Sequence, residues 1–462
     1  MRLGQYPRYR SNNIEWLPVL PNTWQHIRAR FVLGVNPSPV KQRELDDSAE
    51  VSFVPMEALG EYGGLSLDRT KSLDEIGSGY TEFEDGDVVV AKITPCFENG
   101  KGALASGLVN GVAYGTTELH VLRAGKRLGR RFLFYLTMSH TFRALGESEM
   151  YGAGGQKRVP PEFVKNFRIP LPSLDAQQRI SRFLDVHTAR IDMLAIKKQD
   201  IIEKLKEKRS ALISRTVTQG LPPMEAKAAG LDQNPEMKNS GIEWLGRIPT
   251  HWRCLPIFRI AESIQTGPFG SQLHQADYVE DEVPLINPIH LIEGELRPDI
   301  RNTVTSDTAA RLARYALVQG DIVFARRGEI GRCGVVRKEQ SGWVCGTGSM
   351  VVRLNNAEPN YFSLVFRSAG FCSLLELNAV GTTMLNLNPA IVGRMIVPVP
   401  SLLEQQKIVM FLERETRNID VLIAKIESAI THLIEYRQSL ITSAVTGNID
   451  VRHWQAPELQ PA

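Results

Sequence analysis

Basic side chains crowd one stretch of this 462-residue chain: Arg311, Arg314, Arg326, Arg327, Arg332, Arg337 and Lys338 stand against only Asp321 and Glu329. A guanidinium presents a planar fork of N–H donors that fits a phosphate, or the O6/N7 edge of guanine, with two hydrogen bonds at once. The chemistry expected of such a patch is nucleic-acid recognition, with a solvated charged face as the plainer alternative. Within it Arg326, Arg327 and Arg332 are the arginines expected to reach DNA. In the first half of the chain the candidates are Lys92, Lys101, Gln156, Lys157 and Arg158. Donors and acceptors at Gln265, Ser271, Gln272, Thr383, Asn386 and Asn388 complete the set. Two loops, Tyr151 to Arg158 and Gly381 to Asn388, join glycine backbone to amide and hydroxyl groups and are suited to approaching a groove. A simple turn before the following prolines is the alternative for both.

No residue pattern adds a reaction to that binding chemistry. A phosphate loop needs Gly directly before its Lys so that backbone amides cradle the anion, and Gln156 occupies that place before Lys157. A metal-dependent nuclease core needs an acidic residue two before a lysine on the strand after an Asp. Asp87 leads instead to Val90, Ala91 and Lys92, and Asp321 to Phe324, Ala325 and Arg326. Glu82, Glu84, Asp85 and Asp87 read as a solvated turn that Asp87 caps. The base-flipping Asn-Pro-Pro-aromatic run, the Gly-x-Ser-x-Gly elbow and the His-Glu-x-x-His pair are all missing. The chain is expected to be non-catalytic and to bind no metal or cofactor itself.

The elements that must position these residues occur twice. Asp85 to Lys92 and Gly320 to Arg326 are matching turn-then-strand signals at an offset of 234. Pro172/Pro400, Gln177/Gln405, Ile180/Ile408, Phe183/Phe411, Asp192/Asp420 and Arg209/Arg437 are each 228 apart. The chain is thus a tandem repeat. Steps of four and three residues pick out Ile180, Leu184, Ile191, Leu194, Ile201 and Leu205 in one copy. In the other they pick out Ile408, Leu412, Ile419, Leu422, Ile426 and Leu433. This sustained period of 3.5 is a coiled-coil seam, and each helix is expected to find its partner in the other copy, with a homodimeric coiled coil as the alternative. Ser173 and Ser401 are expected to cap the helices after their Pro-x-Pro stops, Ser401 with Glu404 as a capping box.

The rest of each half consists of short β-branched runs broken by Gly, Pro and Asn, and the class is α+β. The expected division is a mixed α/β domain over 1–170, a long helix over 171–219, a linker over 220–238, a second mixed domain over 239–398, a second long helix over 399–447 and a tail over 448–462. The repeat is strong in the segment before each domain (Trp16 and Trp24, Trp244 and Trp252) and in the helices, and fades between them. Two frames are kept while two inserts diverge, as expected of a protein that reads two different targets with one geometry.

Composition is ordinary for a globular protein, with 43% hydrophobic and 23% charged residues, and a net charge of +3 leaves the case for nucleic acid to the local patch. Five cysteines with no C-x-x-C pair point to reduced thiols rather than a disulfide framework or a zinc site. The first residues have no apolar signal core and no run approaches a membrane span, so the expected location is the cytoplasm.

Taken in order, the residues resemble the specificity (S) subunit of type I restriction-modification enzymes. The likeness rests on Trp-Leu-Gly-x-Ile-Pro-x-His-Trp at Trp244 to Trp252, Gly-Asp-Ile-Val-Phe-Ala-Arg at Gly320 to Arg326, Gly-Thr-Thr-x-x-x-Leu at Gly381 to Leu387, and Pro-x-Pro-Ser-Leu-x-x-Gln-Gln before a long helix, twice. The first half departs at Pro18 to Pro21, where Gly-x-Ile-Pro would stand. The resemblance implies two target-recognition domains, each reading half of a split, asymmetric double-stranded DNA site. It further implies an antiparallel pair of helices that fixes the spacing, and two docked modification subunits that carry S-adenosylmethionine. Restriction subunits using ATP and Mg would supply translocation and cleavage. A methylation-only system and a protein-binding coiled-coil adaptor are the alternatives.

Overall fold

Gly86-Asp87 and Gly320-Asp321 start the two strands around which each half of the chain folds. Both glycines take positive φ, +94° and +89°, which a side chain would resist. The aspartate that follows closes the turn: Asp87 Oδ2 accepts from Glu84 N at 2.9 Å, and Asp321 Oδ2 from Val318 N at 2.9 Å. Each carboxylate also receives a guanidinium fork, Arg123 on Asp87 at 2.8 and 2.7 Å and Arg353 on Asp321 at 2.7 and 2.8 Å. Strands Val88–Ala91 and Ile322–Ala325 are buried at every position, covered on both faces, which is why they read as unbroken apolar runs.

The computed structural model describes residues 4–38, 45–61, 63–77, 79–153, 155–329, 331–378 and 386–456. The chain divides into two units, one comprising the chain through Gln199 together with Glu427 onward, the other Asp200–Ile426. In the first unit, one antiparallel sheet runs Leu33–Val35, Leu119–Ala124, Val88–Ala91, Gly102–Leu104. A second runs Thr70–Ser72, Glu50–Val54, Val112–Gly115, Thr81–Glu84, with its middle pair parallel. The second unit repeats both. Ala261–Thr266, Ser349–Leu354, Ile322–Ala325 and Cys333–Val335 form one sheet, and a smaller one contains the parallel pair Val283–Ile286 and Val344–Cys345. The stretch after Arg130 breaks into two helices, Arg130–Met138 and His140–Ser148, because Ser139 caps the second by accepting from Phe142 N.

A two-stranded ribbon aims each long helix: Gln25–Arg28 pairs with Arg168–Leu171, and Arg253–Pro256 with Ile396–Val399. The tryptophans before these ribbons are packing groups. Trp24 and Trp252 are buried, and Trp16 stacks on Phe167 at 4.9 Å. The helices then span Leu174–Gln219 and Leu402–Val445. Ser173 Oγ accepts from Ala176 N, while Ser401 and Glu404 exchange backbone donors as a capping box. The repeated glutamine tethers each helix to its domain. Gln177 accepts from Gly129 N at 2.7 Å and donates to Pro172 O at 2.9 Å; Gln405 accepts from Glu358 N at 2.8 Å and donates to Pro400 O at 2.9 Å.

The helices pair within both units. In the first, Ile180, Phe183, Leu184 and Ile191 pack with Leu440, Ile441, Ala444 and Val445; in the second, Ile213 and Val217 pack with Ile408, Val409, Phe411 and Leu412. The start of one helix thus meets the end of the other, an antiparallel arrangement. The seam read from sequence holds at Ile180, Leu184, Ile191, Ile408, Leu412 and Ile419 but not throughout. Leu194, Ile201 and Leu422 are 43%, 46% and 48% exposed, and Ile202 is buried where Ile201 was expected. Leu205, Ile426 and Leu433 are half-buried. A straight helix of 3.6 residues per turn drifts about 20° per heptad from a 3.5 repeat, so the stripe rotates out of the contact. Charge takes over there. Arg437 forks onto Asp192 at 2.8 and 3.2 Å in the first unit, and Arg209 Nε lies 3.0 Å from Asp420 Oδ1 in the second. These four residues are the repeat-mates Asp192/Asp420 and Arg209/Arg437, so one ion pair has been built twice.

The segments read as linker and tail carry structure and contacts of their own. The linker over 220–238 is structured, with a helix at Pro223–Ala228 and a strand at Met237–Asn239 whose Lys238 donates to Thr250 O and Trp252 O, both at 2.7 Å. The tail docks on the first unit: Asp450 N donates to Gly4 O, and Trp454 meets Phe183 edge-on at 5.3 Å. Among the described residues no helix is long and apolar enough to cross a membrane.

Candidate nucleic-acid interface

In the second unit the site grows from the end of strand Ile322–Ala325. Arg326 N donates to Gly348 O at 3.0 Å and Arg326 O accepts from Leu387 N at 2.9 Å, so the arginine is held between a turn and the segment before helix Pro389–Arg394. Its Nε donates to Asn386 Oδ1 at 3.2 Å. Partial burial, with Arg327 beside it, pushes the Arg326 pKa below its ordinary value. Arg327 bridges Asn386 through its backbone and carries an exposed side chain with no carboxylate partner among the described residues. Asn388 caps helix Pro389–Arg394, accepting from Ile391 N at 2.9 Å. Thr383, with most of the Gly381 loop, lies outside the described residues.

The basic patch is less open than its composition implies. Arg332 is paired with Glu329, Arg337 with Glu295, and Arg311 with Asp277 at 3.0 Å. Asp277 and Glu295 come from earlier elements, which a count along the sequence from Arg311 to Lys338 cannot see. Gln265 Nε2 donates to Arg314 O at 3.3 Å, and Gln272 Oε1 accepts from Tyr315 OH at 2.8 Å, so both amides brace the structure. Ser271 is exposed.

The first unit builds the same place differently. Lys92 N donates to Glu118 O at 2.9 Å, and Lys92 O accepts from Val159 N at 2.8 Å. Arg158 forks onto the Glu118 carboxylate at 2.9 and 2.8 Å; these hydrogen bonds hold the Glu118 pKa below its usual value. Arg158 thereby fastens the loop, and Gln156 and Lys157 present the exposed side chains. Lys101 Nζ is tied to Met56 O at 3.2 Å.

A residue missed by sequence reading lies beneath. His120 is 2% exposed, and its Nε2 lies 2.9 Å from Val159 O and its Nδ1 3.3 Å from Asn36 Nδ2. Burial pushes its pKa below the ordinary value, which favours the neutral ring. The two contacts select the tautomer that donates from Nε2 to the carbonyl and accepts at Nδ1 from the amide. His120 faces Val90 across the ladder as Met350 faces Phe324. An isolated histidine in an apolar strand carries no sequence signal for this role.

The geometry is that of two differently built surfaces on one repeated frame. The segments 77–204 and 285–432, more than half of the chain, match the family described as "Type I restriction modification DNA specificity domain". The type I restriction enzyme EcoAI specificity subunit of Escherichia coli is 42% identical over 163 residues, 35% of this chain and 27% of that protein. The EcoEI specificity subunit, also of Escherichia coli, is 40% identical over 178 residues, 38% of this chain and 30% of that protein. The matched stretch therefore spans less than a third of these two relatives. The MjaVIII specificity subunit of Methanocaldococcus jannaschii is 21% identical, covering 96% of this chain and 98% of its own length. A solved chain from a study of type I R-M complex assembly superposes with a TM-score of 0.70 at 17% identity, covering 93% of this chain and 99% of that one. The HsdS subunit from Thermoanaerobacter tengcongensis gives 0.50 at 17% identity, covering 93% and 98%. At these identities the structures show the shared fold.

Proposed function

Because the chain belongs to the family of type I restriction modification DNA specificity domains, we propose that it reads a bipartite, asymmetric double-stranded DNA site, one half with each unit. The domain of the first unit, expected over 1–170, is one target-recognition domain, and that of the second, expected over 239–398, is the other. One observation carries this reading. The same turn of the same sheet holds Lys92, Glu118 and Arg158 in one unit and Arg326, Gly348 and Asn386 in the other, so an identical frame presents different chemistry. The long helices set the gap between half-sites. They also offer exposed apolar residues, Leu194 and Ile196 in one unit and Val421 and Leu422 in the other, on which two modification subunits dock. Those subunits bring S-adenosylmethionine, restriction subunits bring ATP and Mg chemistry, and this chain positions without catalysing.

The test is an exchange. Replacing residues Val19 to Ile169 with the insert of another family member, then sequencing the methylome of cells that express the chain with its modification subunits, is expected to change one half of the methylated motif. The other half and the spacer stay as they were. A change in both halves, or DNA methylation by the purified chain with S-adenosylmethionine alone, would overturn the reading.

A further inference from the structure

Phe269 lies in Gly267-Pro268-Phe269-Gly270-Ser271-Gln272 of the second unit with 60% of its surface exposed. The backbone around it is fixed. Gly267 N donates to Ser349 O at 2.9 Å, and a Cβ at Gly267 would stand 2.0 Å from Gly346 O, so the segment lies flat against the 346–349 turn and needs glycine there. Gln272 holds the other end. Its Oε1 accepts from Phe269 N at 3.3 Å and Tyr315 OH at 2.8 Å, and its carbonyl accepts from Arg311 Nη1 at 2.8 Å. Leu273 then buries its side chain. A large apolar ring thus stands exposed on a loop tied by hydrogen bonds at both ends.

The neighbours identify what it meets. The turn that receives Gly267 at Ser349 receives Arg326 N at Gly348 O, 3.0 Å away, so Phe269 and the Arg326-Arg327 pair flank one turn. Arg314, exposed, directly precedes the Tyr315 clamp. An exposed aromatic ring on a loop that shares its supporting turn with Arg326 suits a nucleic acid, in which an apolar base face lies close to phosphates. We infer that Phe269 is an apolar wedge that presses against a base step of the second half-site, and that Gln272 and Tyr315 are the positioning residues that hold it there. This rests on the DNA-reading function proposed above.

The test uses the complex of this chain with its modification subunits and duplexes carrying the sequence that complex methylates in cells. Phe269→Ala is expected to weaken specific binding by about 5- to 150-fold, the range for losing one aromatic–base contact. Phe269→Trp is expected to bind, with its indole emission quenched by the specific duplex. Binding by Phe269→Ala within about twofold of wild type, or unquenched emission from bound Phe269→Trp, would overturn the wedge. Loss of the modification subunits from the Phe269→Ala complex would overturn it too, by making the ring a protein contact. A wild-type complex that binds no duplex would instead sink the DNA-reading function itself.

Discussion

The two units solve one problem with different charge arrangements. At the turn that follows the buried strand, the first unit places Glu118 under Arg158 and neutralises a cation to brace its loop, leaving Lys157 exposed. The second has Gly348 and Asn386 in the matching places, and Arg326 and Arg327 lack a carboxylate partner among the described residues. Beneath the site the first unit uses His120 and the second Met350. The Asp–Arg clamps and the glutamine tethers are the same in both. The clamps and tethers that hold the frame are therefore repeated, while the residues at the turn and beneath it are not, as the proposed reading of two different half-sites requires.

The largest expected effect tests the shared part. Asp321→Ala should destabilise the second unit by about 3 kcal/mol, below the upper end for breaking a buried pair because Arg353 keeps 34% exposure. Asp87→Ala should cost the first unit less, about 2 kcal/mol, since Glu84 lies 3.4 Å from Arg123 and remains to pair with it. Denaturant unfolding of each variant measures both, and equal losses would remove the asymmetry.

The unshared part comes next. Arg326→Ala should weaken specific DNA binding by about 1–3 kcal/mol and relax the second half-site, as loss of a base-reading arginine does. Lys92→Ala should weaken binding by less, about 1 kcal/mol or below, and uniformly across sequences, because a lysine acts as a point charge on phosphate. Binding selections on randomised half-sites separate the two. A broadened first half-site in Lys92→Ala would show that both units read bases through this position.

A smaller contrast lies in the helices. Arg437 has 8% side-chain exposure and Arg209 has 25%. Arg437→Ala is therefore expected to cost about 2 kcal/mol and Arg209→Ala about 1 kcal/mol or less, in line with the greater worth of the more buried pair. Thermal melts compare them; the reverse order would mean that helix contact, not burial of the pair, sets the cost.

The smallest effect is a pH dependence confined to the first unit. Burial lowers the His120 pKa, and Lys92 lowers it further while Val159 O and Glu118 act the other way. The folded state thus binds its proton later than the unfolded chain, so this contribution to stability is full above the ordinary value of 6.5 and declines as the pH falls below it. His120→Met, the second unit's solution, should flatten the melting temperature between pH 7 and 5 relative to wild type. An unchanged slope would place the acid sensitivity elsewhere.

The sequence by itself determined the repeat, the two long helices with their capping serines and Pro-x-Pro starts, and the buried strands after Gly86-Asp87 and Gly320-Asp321. Those signals are complete within a few residues: a period, a cap, a turn glycine. It also located the strand ends on which Lys92 and Arg326 sit. Only the tertiary structure decided which cations stay open, because Arg311, Arg158 and Arg337 are answered by carboxylates 34, 40 and 42 residues away. It likewise decided that Leu194, Ile201 and Leu422 leave the seam while Asp192, Arg209, Asp420 and Arg437 enter it. Heptad spacing fixes a stripe on one helix, but the direction that stripe faces several turns later depends on the drift of a 3.6-residue turn and on the partner it meets.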